Sequence, residues 1–179
     1  FDASKIERAI QRAALETLQD RGRAERIAQR VTRLVTERLA GRYKGRTPGV
    51  EEIQGSVTDA GLVDDLVARS DAVIHLATCK EDRDGVIQVS AQGTFNLLDA
   101  AMRTKQPKRV ILASGDAVNG IYFNPQPVPI REDMPLVAYP GYYPLSKVLE
   151  EAMFQQYYHQ AGVPTVCLRI SWIQAEDDI

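Results

Sequence analysis

The sequence predicts an α/β protein: a partial, mostly parallel sheet of about three strands with helices packed on it, behind an N-terminal helical segment. Two observations carry this. Over residues 1–54 apolar residues recur at three- and four-residue spacing, the period of one helix face. From residue 55 to residue 179 short apolar runs alternate with helical patterns, the signature of β-α-β units and a parallel sheet.

In the first segment Ile6, Ala9, Ile10, Ala13 and Ala14 share one helix face; Ser4 or Asp2 can cap that helix, and Glu7, three residues after Ser4, has the spacing of a capping box. A second helix is expected from Arg23 to Leu39, broken from the first at Asp20-Arg21-Gly22 and ended by Gly41. In the second segment a helix is expected over Asp59–Arg69, a strand over Ala72–Ala77 and a helix over Ser90–Met102. A strand over Arg109–Ser114, a long helix over Tyr142–Gln160 and a strand over Pro164–Ile170 complete it. The Pro-rich loop from Gly115 to Tyr139 is too long for a bare connection. Long loops at the carboxyl ends of parallel strands build binding sites.

Bulk properties exclude several classes. No apolar run approaches the roughly 20 residues that span a bilayer, and no signal-peptide pattern follows Phe1. Cys79 and Cys167 make a poor disulfide framework, so a reducing, cytoplasmic setting is expected. His75 and His159 are isolated from other ligands, so no metal site is predicted. The net charge of −2 divides into +6 over residues 1–46 and −8 over the rest. The basic part reads as a solvated helix face, because its Arg residues are interleaved with Glu; nucleic acid is not an expected partner. A small-molecule substrate is, and a homo-oligomer stays open. The chain begins without Met, which predicts a piece of a longer protein.

The sharpest chemical signal is Tyr143-Pro144-Leu145-Ser146-Lys147. Four residues on a helix put Tyr143 and Lys147 on one face, a turn apart. A phenol of pKa near 10 is a poor acid or base at neutral pH, and a neighbouring ammonium favours the phenolate. The tyrosine can then exchange a proton with a substrate hydroxyl while a hydride moves to or from a nicotinamide. The bland reading is a surface Tyr and a solvated Lys, so the surrounding sequence has to carry the motif.

That context is Val57-Thr58-Asp59, Asp71 to Ala77, Gly93 to Ala101, Val110 to Gly120, Tyr143 with Lys147, and Pro164 to Arg169. In this order these segments resemble the extended short-chain dehydrogenase/reductases, the NAD-dependent epimerases and dehydratases, over residues 56–179. The resemblance implies a partial Rossmann-like sheet lacking its first strands and an NAD or NADP cofactor. It also implies a sugar nucleotide or similar polyol as substrate. Tyr143 would be the acid/base and Lys147 would bind ribose. Leu76 and Ala77 would lie along the cofactor. The family's loop reads Ser-Ser-x-x-Val-Tyr-Gly, its second position donating to the substrate oxygen; here Gly115 stands at that position, and Ser114 is the candidate replacement donor. Ser90 stands where the family often has asparagine. No Gly-x-x-Gly-x-x-Gly or Gly-x-Gly-x-x-Gly occurs in the chain to meet a pyrophosphate.

Residues 1–54 resemble the helical part of an ATP-cone, through residues 1–10, Ala28 to Leu39 and Thr47 to Gln54. That resemblance implies ATP held in part by Lys5, although the β-hairpin that precedes this helix in the family is absent. Three readings therefore stand together: an NAD(P)-dependent oxidoreductase, an ATP-binding regulatory module, and a join of two incomplete domains without activity of its own.

Overall fold

The structure, a computed structural model, describes residues 50–79, 81–104, 109–120 and 129–171. The two helices expected before residue 50, and Lys5 with them, lie outside the described residues. The chain divides into two compact units, one of residues 1–54 and 172–179 and one of Gly55–Ser171. Every described element belongs to the second.

Helix α1 (Ala60–Ala68) opens that unit, capped by Asp59, whose carboxylate accepts from Leu62 N at 3.1 Å. Strand β1 (Ala72–His75) follows, two residues shorter than its apolar run. Leu76 and Ala77 already leave the ladder there. A helical turn at Arg83–Gly85 leads into a π-helical stretch, Val86–Gln92, and then α2 (Gly93–Arg103). The expected start at Ser90 was late because Asp82 caps the chain upstream, accepting from Asp84 N at 3.2 Å. Strand β2 (Arg109–Gly115) ends in a 3₁₀ turn, Asp116–Asn119. Helix α3 (Tyr142–Ala161) and strand β3 (Thr165–Ile170) complete the unit.

The sheet is parallel throughout, in the order β1-β2-β3, with His75 beside Leu112 and Gly115 beside Ile170. Its core joins Val63 and Val67 of α1, Leu97 and Leu98 of α2, Val110 and Leu112 of β2, Phe154 of α3 and Val163. Leu98, Val110, Leu112 and Phe154 are fully buried, and each such side chain contributes about 1.5–3 kcal/mol. Phe154 sits three helical turns beyond Tyr143. The contact that anchors α3 to the sheet thus also fixes where Tyr143 points.

Candidate active site

Tyr143 and Lys147 occupy the first two turns of α3, and the helix period brings them together: the Lys147 ammonium lies 5.7 Å from the centre of the Tyr143 ring. The lysine is 3% exposed. Its Nζ donates to the Ala113 carbonyl at 3.1 Å and to Glu150 Oε2 at 2.8 Å. An ammonium carries three donors, which leaves one N–H for a further acceptor.

The phenol stands at the carboxyl end of β2. A Cβ built on Gly115 would lie 3.4 Å from the Tyr143 hydroxyl and 3.6 Å from the Ile170 carbonyl. This is where open α/β sheets bind ligands, beyond the strand ends. Gly115 itself is extended, at φ −151° and ψ 169°, so the backbone there does not demand glycine. The site lacks a side chain, not room for one.

Successive strand residues face opposite sides of a sheet, so Ser114 turns away from the phenol. Its hydroxyl donates to Glu151 Oε1. The same carboxylate receives Arg169 through Nη2 at 2.9 Å and Nε at 3.1 Å, and Arg169 Nη1 donates to the Glu132 carbonyl at 3.1 Å. Leu76 and Ala77 follow the end of β1, Leu76 exposed and Ala77 half-buried.

The electrostatics differ from the expectation that Lys147 lowers the phenol's pKa. Burial holds Tyr143 above its ordinary value, and the charges of Glu150, Tyr139 and Asp116 push the same way. Burial is the main reason, and the Lys147 ammonium, bonded to Glu150 at 2.8 Å, does not reverse it. Burial likewise raises Glu150, and Lys147 only partly offsets it. His75, 3% exposed, meets Thr94 Oγ1 at 3.0 Å. Burial and then the Lys147 charge pull it down to about 4, so it is a neutral imidazole beside the pair.

One long-range contact fixes the start of α3. Glu81, in the loop after β1, accepts from Tyr142 N at 2.9 Å and Tyr143 N at 3.3 Å. Gly141 makes this possible. At φ +144° it turns the chain into the helix, and its Cβ position lies 3.1 Å from Glu81 Oε1. A carboxylate there also suits the positive end of the helix dipole. Sequence reasoning missed Glu81, Glu150, Glu151 and Arg169. Glu150 and Glu151 carried a usable signal, three and four residues after Lys147 on one helix face. Glu81, 61 residues from Tyr142, carried none.

A separate cavity of about 470 Å³ opens beside the Glu151–Arg169 pair, lined also by Glu132, Met134, Tyr158 and Cys167. It does not include Tyr143 or Lys147. Burial pushes the Cys167 thiol up to about 12, which disfavours its thiolate. Among the described residues no group of His, Cys, Asp and Glu could hold a metal ion, and no helix is long and apolar enough to cross a membrane.

Known proteins share this arrangement of elements. Uronate dehydrogenase of Agrobacterium fabrum is 32% identical over 123 residues, 67% of this chain and 44% of the relative. A short-chain dehydrogenase/reductase superfamily protein from Agrobacterium tumefaciens, solved with bound NAD, superposes with a TM-score of 0.62 at 30% identity. It covers 76% of this chain and 44% of its own. Glucuronic acid dehydrogenase from Chromohalobacter salexigens gives a TM-score of 0.59 at 29% identity, covering 72% and 48%. The chain thus spans a little under half the length of these relatives. The family model described as "NAD dependent epimerase/dehydratase family" matches residues 10–175. It runs through most of the ATP-cone-like segment, and none of these likenesses supports an ATP-cone there. With two thirds of the chain aligned to a relative and the match reaching from residue 10 to residue 175, this chain belongs to the NAD dependent epimerase/dehydratase family.

Proposed function

We propose that this chain carries the acid/base centre of an NAD-dependent oxidoreductase acting on a sugar, with a uronate or related sugar acid as the substrate class. The single observation that supports this most is the half-buried Tyr143 hydroxyl at the ends of two parallel strands, one turn from a buried lysine. In oxidation Tyr143, as phenolate, takes the proton of the sugar hydroxyl; in reduction, as phenol, it returns it. NAD supplies the hydride acceptor.

The residues present fit the nicotinamide end of that cofactor. The third N–H of Lys147 suits a ribose hydroxyl, and Leu76 and Ala77 offer apolar surface at the end of β1. For the pyrophosphate the sequence holds no glycine-rich turn. Ser114 would reach a substrate oxygen only by giving up its bond to Glu151.

The test is formation of the reduced nicotinamide, NADH from NAD or NADPH from NADP, with glucuronate, galacturonate, arabinose and a UDP-sugar. We expect turnover on the sugar acids. If no sugar yields NADH or NADPH and the chain shows no affinity for NAD, it has no oxidoreductase activity of its own and the proposal is wrong. Titration with ATP, repeated on Lys5→Ala, checks the ATP reading, which rests on sequence resemblance alone.

Gly115 provides a sharper prediction. Gly115→Ser places a Cβ 3.4 Å from the Tyr143 hydroxyl, with its own hydroxyl one bond further on, without backbone strain. One net hydrogen bond to the reacting oxygen is worth about 0.5–1.5 kcal/mol, so kcat should rise roughly two- to tenfold. An unchanged or lower kcat at equal stability would show that the substrate oxygen does not sit beside Gly115.

A further inference from the structure

The charge that faces Tyr143 is set by a residue outside the Tyr-x-x-x-Lys pair. Glu150 is fully buried and sits one turn beyond Lys147 on the same face of α3. One carboxylate oxygen, Oε2, receives the ammonium at 2.8 Å. The other, Oε1, is buried without a hydrogen bond, as is Ser90 Oγ from the π-helical stretch. The Ser90 hydroxyl is near enough to favour the charged carboxylate, though neither atom reaches the other in normal bonding geometry. A buried carboxylate with one free oxygen is costly, and the 2.8 Å ion pair with Lys147 offsets part of that cost.

Among the described residues, several charged or titratable groups around the phenol bear on this. From α3 come Lys147 and Glu150, from β1 the neutral His75, from the loop after β1 Glu81 at the Tyr143 amide. Asp116 comes from the 3₁₀ turn and Tyr139 from the loop before α3. Lys147 is the only cation among them.

We propose that Glu150 is a positioning residue of the Tyr143–Lys147 pair: its buried carboxylate fixes the ammonium against the Ala113 carbonyl and offsets its charge beside the phenol. Tyr143 then keeps its proton to higher pH than a lone ammonium would allow. The centre is set to donate a proton at neutral pH and to accept one under alkaline conditions. This rests on the oxidoreductase reading for its catalytic meaning, but not for its measurement.

The experiment is a spectrophotometric titration of the phenolate band of the full chain, with the matching Tyr143→Phe protein subtracted so that one phenol is followed. Glu150→Gln keeps the side chain's shape and removes its charge. The Tyr143 transition should move down by about one pH unit or more, the effect of an unmatched charge within a few ångströms. In Glu150→Gln/Lys147→Met both charges are gone, and the transition should return towards its wild-type position. Circular dichroism over the same pH range separates unfolding from ionisation. A Glu150→Gln transition at or above the wild-type pH would overturn the proposal. So would a double variant that titrates with the single one. If the downward shift is found but no sugar is oxidised, Glu150 has the role assigned here and the proposed function is what fails.

Discussion

Tyr143→Phe is expected to lower kcat about 10²- to 10⁴-fold, the usual worth of a positioned acid or base, with little change in NAD affinity. The substitution removes one oxygen and keeps the ring, so the contact between Lys147 and the aromatic face at 5.7 Å survives. Lys147 also keeps its bonds to Ala113 and Glu150, and α3 keeps the Glu81 cap, because that cap uses the Tyr143 amide. The variant therefore isolates the proton transfer. The residual wild-type dependence on pH has a definite sign. Oxidation needs the phenolate, and the phenol's pKa is held up by burial and by Glu150. Oxidation should therefore rise with pH until the phenol has ionised, while reduction, which needs the phenol, stays level below that pKa and falls above it. Steady-state rates in both directions across pH check this. A Tyr143→Phe enzyme that keeps wild-type kcat would remove the tyrosine from the chemistry.

Much of this was legible in the sequence, for reasons that differ by residue. The strand at Arg109–Gly115 and the helix at Tyr142–Ala161 lay within a residue of expectation, because long periodic runs leave little choice of face. Tyr143 and Lys147 met as their four-residue spacing required. The charge environment was not legible. Reading the lysine as a lone ammonium beside a phenol ignored Glu150, which the same helical period places next to it. Nor could periodicity reveal that Ser114 turns to Glu151 while Gly115 faces the phenol. That follows from strand parity, which becomes definite only once β2 is seen to run on to Gly115 beside Ile170.

The Glu151 cluster ties the strand ends to α3, and breaking it should cost stability before it costs chemistry. Glu151 is 5% exposed and Arg169 21%. Glu151→Ala would strand the Arg169 guanidinium with the Glu132 carbonyl alone and leave the Ser114 hydroxyl without its acceptor. Removing one partner of a buried pair costs about 3–5 kcal/mol. Partial access of water to Arg169 brings the expected loss to about 2–3 kcal/mol, read as a lowered urea midpoint by circular dichroism. Glu151→Leu/Arg169→Leu should be more stable than either single substitution predicts by addition, because no unmatched charge remains inside. Additive losses would mean that the pair is solvated and does not brace the site. Because Ser114 precedes Gly115 on β2, any slackening at Glu151 reaches the strand end that faces Tyr143. Glu151→Ala should then raise KM for the sugar as well, an effect that Arg169→Lys, which keeps a cation for Glu151, would largely spare.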